Sequence, residues 1–175
     1  MAYDRSADGM PLHTRTGEPF VYNDAALLLA DTLAKLPTFV TPQTARALQA
    51  TENLWRRVEF DHGLLTSRAV AELLGHPGNL RRVNRLRLAG QLIGVERRHR
   101  ILYPGFQFDP STHRIRSVVQ PLIQVASSNG FSDRDLVEWM YTATTYFRDE
   151  RRPVDHLEPA DELLQVANAA MGIQW

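Results

Sequence analysis

The chain has 175 residues, 43% of them apolar, and its twenty basic side chains balance twenty acidic ones. That is enough apolar material for one substantial core or two small ones. It contains no cysteine, which excludes a disulfide framework, a thiolate zinc site and a cysteine nucleophile. The first twenty residues have no apolar leader, and the longest apolar run, Ala25 to Ala30, is far too short to span a bilayer, so a cytoplasmic protein that does not enter membranes is expected.

Residues 1–20 are polar and aperiodic and read as a flexible arm. A helical region is expected over 21–64. Asn23 or Asp24 caps a helix running to Lys35, and Pro37 breaks it. Thr41-Pro42 is a cap followed by a first-turn proline, opening a second helix that Gly63 stops. Its apolar line of Ala45, Leu48, Leu54, Trp55 and Val58 is interrupted around Thr51 to Asn53, which predicts one wet face.

Residues 65–110 carry the clearest local grammar. Thr66 or Ser67 precedes Val70, Leu73 and Leu74 at helical spacing, and Gly75 closes that helix. After the turn His76-Pro77-Gly78, Asn79 opens a second helix with Leu80, Val83, Leu86 and Leu88 as apolar positions. This is the pattern of a helix-turn-helix. Leu92-Ile93-Gly94-Val95 and Ile101-Leu102-Tyr103 then bracket the polar tip Glu96 to Arg100, which predicts a short β-hairpin wing.

Between Asn79 and Arg100 seven arginines face one acid, Glu96, a local charge of +6 in a chain of formal charge zero. Such crowding calls for an anionic partner, and the phosphates of double-stranded DNA are the commonest. A recognition helix in the major groove would use Asn79, Arg81, Arg82, Asn84 and Arg85, since a guanidinium fork matches guanine and an asparagine amide matches adenine. Arg97, Arg98 and Arg100 would grip the backbone from the wing. The competing reading is a solvated or protein-facing arginine surface.

Residues 111–175 read as a C-terminal helical domain. Just before it, Phe106 and Phe108 suggest a short extended segment burying two rings. A helix is expected from near Pro121 to Asn129. Another follows the capping-box pair Ser132 and Asp135, with Leu136, Trp139 and Met140 on its apolar side. Pro159 opens the last one, which carries Leu163, Leu164, Val166, Ala167 and Ala170. Trp55 and Trp139 are expected in a core and Trp175 in a tail. The expected fold is therefore mainly α, a helical bundle with a helix-turn-helix and a short β-hairpin wing.

The stretch FSDRDLVEWMYTATTYFRDERRPVDHLEPADELLQVANAA resembles the toxin-binding domain of Xre/MbcA/ParS-type antitoxins, through Trp139, Phe147, Arg152, Pro153, Val154, Asp155 and Leu157. The preceding LTSRAVAELLG and ILYPGFQFD are similar to the DNA-binding part of the same group, so the resemblance covers residues 65–171. It implies an antitoxin that covers the active site of an NAD-consuming RES-domain toxin and represses its own promoter, without chemistry of its own. Arg148, Arg151, Arg152, Pro153, Asp155 and Trp175 would then meet the toxin. A loop stitched to neighbouring helix ends is the alternative for the Arg-Pro corner. A stand-alone regulator whose C-terminal helices dimerise or bind another protein is the alternative for the whole chain, as is an adaptor that has lost DNA binding. A homo-oligomer is expected in either regulator form.

Enzymatic readings find little to build on. The six histidines are scattered without a helical pair, and there is no phosphate loop, dinucleotide fingerprint or nucleophile elbow. No metal, cofactor or catalytic residue is expected.

Overall fold

The computed structural model describes residues 41–147 and 151–172. The expected arm and the helix ending at Lys35 lie outside the described residues. Chain contacts divide the protein into a unit ending at Ala47 and a second unit, Leu48 to Trp175, which holds the helix-turn-helix, the wing and the C-terminal helices.

The first described helix, α1 (Pro42–His62), starts where Thr41 accepts the Thr44 amide at 3.2 Å, and it buries only Trp55 and Val58. Gly63, at φ +79°, ends it. Next comes a strand that the sequence did not announce, β1 (Leu64–Thr66). Three residues are too few for any periodicity to show. Thr66 then caps α2 (Ser67–Leu73) by accepting the Ala69 amide, and Asn79 caps α3 (Leu80–Leu88) by accepting that of Arg82.

The wing consists of β2 (Val95–Arg97) and β3 (Arg100–Pro104), antiparallel with Arg97 opposite Arg100. On its other edge β3 pairs with β1, Leu65 opposite Tyr103, giving a three-stranded sheet in the order β1-β3-β2. Leu92 and Ile93 are buried as a strand would require, yet they precede β2. The reason is local: the Ile93 amide and carbonyl both bond the side chain of Gln107 in place of a ladder partner.

Gly105–Gln107 forms a 3-10 turn, not the extended segment expected from the aromatic alternation. Both rings are nevertheless buried, and the turn sends them to different places. Phe108 joins Val70, Ala71, Val83, Leu92 and Tyr103 in the core of the helix-turn-helix. Phe106 joins a larger cluster in which Trp55, Val58, Ile93 and Val95 pack with the C-terminal helices.

Those helices are α4 (Val119–Ser128), with Pro121 in its first turn, α5 (Asp133–Met140) and α6 (Ala160–Met171). The Ser132–Asp135 capping box is formed in both directions. Along α5 it is Leu136, Val137 and Met140 that are fully buried, while Trp139 packs against the cluster half-exposed. The architecture is thus mainly helical with a small antiparallel sheet. No described helix is long and apolar enough to cross a membrane.

Candidate nucleic-acid interface

The sheet and α2 hold α3 by its apolar side. Val83 is buried and Leu86 half-buried, and both pack into the small core, which turns the opposite face outward. Arg81, Asn84 and Arg85, at i, i+3 and i+4, share that outward face, with Arg82 beside them. All four are exposed. Asn79 is exposed too, but its side-chain oxygen is occupied by the cap at 3.1 Å. The Asn84 oxygen accepts from Arg87 Nη2 at 3.0 Å, so Arg87, which sequence reasoning passed over, orients the amide.

At the wing the three expected arginines separate. Arg98 and Arg100 are exposed, Arg98 with 88% of its side chain in solvent. Arg97 turns inward and is only 15% exposed. Its Nη2 lies 2.9 and 3.1 Å from the two Glu52 oxygens, and its guanidinium sits 4.8 Å over the Trp55 ring. It ties the wing to α1. Arg98 and His99 form the two-residue turn with φ of 49° and 61°, a left-handed pair that normally selects Asn-Gly. Each such non-glycine residue costs on the order of 1 kcal/mol. The tip therefore carries a guanidinium and an imidazole where a less strained turn would carry neither.

None of Arg81, Arg82, Arg85 or Arg100 has an acidic partner among the described residues. With Arg98 they are exposed cations of α3 and of the wing tip. The wing is fixed from beneath by Gln107, fully buried, which accepts the Ile93 amide at 2.9 Å and donates to the carbonyls of Ile93 and Pro104 at 3.0 and 2.9 Å. Asp133 adds a second tie by accepting the Gly94 amide at 2.9 Å. Burial pushes the Asp133 carboxyl above its ordinary range, against the opposing pull of that hydrogen bond and of Arg87.

The Arg-Pro corner has a different character. Arg152 donates to Asp61 at 2.7 Å and to both oxygens of Asp155 at 2.8 and 3.0 Å, and its guanidinium lies 5.4 Å from the Tyr141 ring centre. The hydrogen bonds to Asp155 raise the guanidinium pKa further, and the same contacts hold the Asp155 carboxyl below its usual value. The Tyr141 hydroxyl meets His62 Nδ1 at 2.6 Å; burial lowers the His62 pKa and raises that of Tyr141. Pro153 and Val154 are buried, and His156 stacks flat on Phe147 with ring centres 4.1 Å apart. The corner thus fastens the C-terminal region to the end of α1. Arg151 is exposed, while Arg148 and Trp175 lie outside the described residues.

No family model matches the chain, and no curated protein matches it. Among solved structures it is similar to the NMR structure of Rv2175c, with a TM-score of 0.55 at 25% identity over 63% of this chain and 82% of that one.

Proposed function

We propose that this protein is a DNA-binding transcription regulator that reads a duplex with α3 and grips the flanking backbone with the wing tip. The observation that carries this reading is that Arg81, Arg82 and Arg85 on α3 and Arg98 and Arg100 on the wing are all exposed, with only Arg98 approaching an acid (Glu52, at 3.9 Å) among the described residues. Like charges gathered this way repel one another until phosphates neutralise them. Arg81 and Arg85 lie on one side of α3, Arg81 in its first turn, the part of a recognition helix that meets base edges, and Arg85 one turn further on, and each fork suits guanine O6 and N7. Asn84, with its oxygen held by Arg87, is left to donate from its amide nitrogen. Arg98 and Arg100 serve the sugar-phosphate chain. Arg97 and Asn79 have internal roles and make no DNA contact.

The proposal does not extend to a RES-domain toxin. Arg152, Pro153 and Asp155, which the antitoxin resemblance assigns to the toxin, are all engaged within the fold, so that partnership rests on sequence likeness alone. Selection from a pool of random duplexes tests the DNA reading. It should enrich a motif containing guanine, and Arg85→Ala should relax one position of it at a cost of about 1–3 kcal/mol for the preferred base. Failure to enrich any sequence in low salt would reject it.

A further inference from the structure

We propose that a cleft between α1 and the wing binds a small phosphate monoester with an apolar body, and that occupancy draws the wing arginines away from DNA. The cleft has a volume of about 500 Å³, within the range of small-molecule sites. Its wall carries Arg56, Arg97, Arg98 and Arg100 against Glu52 and Glu59. Two positive charges are in excess, which matches the dianion of a phosphate monoester. Leu64 and Leu102 supply an apolar side for the rest of the ligand.

A second observation points the same way. Among the buried side-chain polar atoms of the described residues, Trp55 Nε1, Arg87 Nε and Arg97 Nη1 have no hydrogen-bond partner, and two of the three, those of Trp55 and Arg97, belong to this wall. Both atoms are closed off from the cleft, so an acceptor meets them only when the Arg97–Trp55 stack opens, and the cost of an unsatisfied buried donor favours that exchange. Phosphate oxygens are strong acceptors, and guanidinium groups bind them with charge-assisted hydrogen bonds. Glu52 already holds Arg97 in position, and it approaches Arg98 at 3.9 Å. The cleft is thus an existing arginine arrangement whose members are linked to the wing tip.

The site itself stands apart from the DNA reading; only the coupling rests on it, because Arg98 and Arg100 belong both to the cleft and to the exposed wing. Phenyl phosphate is the probe, with inorganic phosphate and phenol as its two halves. The first readout is the indole N–H resonance of Trp55 in the full chain, assigned by elimination with Trp139→Phe and Trp175→Phe. Phenyl phosphate should shift it saturably, and more tightly than either half. Arg56→Gln should weaken binding roughly fivefold and Glu59→Gln should tighten it by a similar factor, as one charge near an exposed site changes the interaction by about 1 kcal/mol. Both substitutions lie at exposed positions, and their opposite signs separate an electrostatic site from a loss of folding. Equal shifts with inorganic phosphate, or no response to either substitution, would overturn the site.

The second readout is DNA affinity with and without saturating phenyl phosphate. A drop of at least tenfold, absent at matched ionic strength with sodium chloride, supports the coupling. Saturable binding that leaves DNA affinity unchanged would overturn the coupling and leave the site. Absence of DNA binding even without the probe would count against the regulator reading and not against the cleft.

Discussion

Replacing Gln107 with alanine isolates the polar joint on which the wing stands. Gln107 is fully buried and makes three hydrogen bonds, and its removal leaves the Ile93 amide, the Ile93 carbonyl and the Pro104 carbonyl without these partners. A buried backbone group stranded in this way costs about 1–3 kcal/mol, the amide more dependably than the carbonyls. Allowing for the lost side-chain volume, a total of about 4 kcal/mol is expected, a large share of the ~5–15 kcal/mol that holds a domain folded. Urea unfolding at 25 °C, followed by circular dichroism, would register this as a fall in midpoint of about 2 M for a slope near 2 kcal/mol/M. Gln107→Glu provides an internal control. A carboxylate can still accept from the Ile93 amide, but it faces two carbonyl oxygens to which it cannot donate while ionised. Its folded pKa should therefore rise, so stability is retained at low pH and lost as pH rises through the ordinary carboxylate range towards that value. A midpoint change below about 0.5 M for the alanine variant, or no pH dependence for the glutamate variant, would refute the reasoning.

Three more outcomes rest on the same geometry. A methyl group on Gly105 would lie 1.8 Å from the His62 carbonyl oxygen, a backbone atom that cannot yield, so Gly105→Ala should cost about 3 kcal/mol in denaturant; a nearly neutral result would contradict the close approach of α1 to the turn after β3. His99→Gly should raise stability by about 0.5–1 kcal/mol by relieving one left-handed residue, and a lowered thermal midpoint would argue against the two-residue turn. Arg152→Ala should cost about 1–2 kcal/mol at neutral pH by releasing Asp61 and Asp155. Because the Asp155 carboxyl is depressed in the fold, this contribution is present above the ordinary carboxylate pKa and fades as pH falls through the folded value, so wild type and variant should converge in acid; a pH-independent gap would sink it.

The parts of this fold legible in the sequence are those with a short-range signature. Thr66, Asn79 and the Ser132–Asp135 pair act within three residues of themselves, and all three cap as their spacing indicates. The hairpin is visible from its apolar brackets, though its boundary shifts because Ile93 bonds a side chain fourteen residues away. β1 leaves no trace, since Leu64 and Leu65 acquire strand character only from a partner near Tyr103. The arginine concentration is plain, but its division is not. Arg97 is held by Glu52, 45 residues distant, and Arg152 by Asp61, 91 residues distant. Adjacent arginines in the sequence can therefore have opposite roles, one packed on a tryptophan and the next in solvent, and only the tertiary structure separates them.

The most direct test of the central claim is the salt dependence of DNA binding by the full chain, measured by fluorescence anisotropy on one selected duplex from about 50 to 200 mM salt. Each phosphate contact contributes about 0.9 to the slope of log K against log salt concentration. Arg98→Ala and Arg100→Ala should each lower the slope by about that amount, whereas Arg97→Ala should leave it unchanged even as it weakens the fold. Binding that is indifferent to salt, or an Arg97→Ala slope that falls as far as that of Arg100→Ala, would contradict the assignment of the exposed wing tip and α3 as the surface that holds DNA.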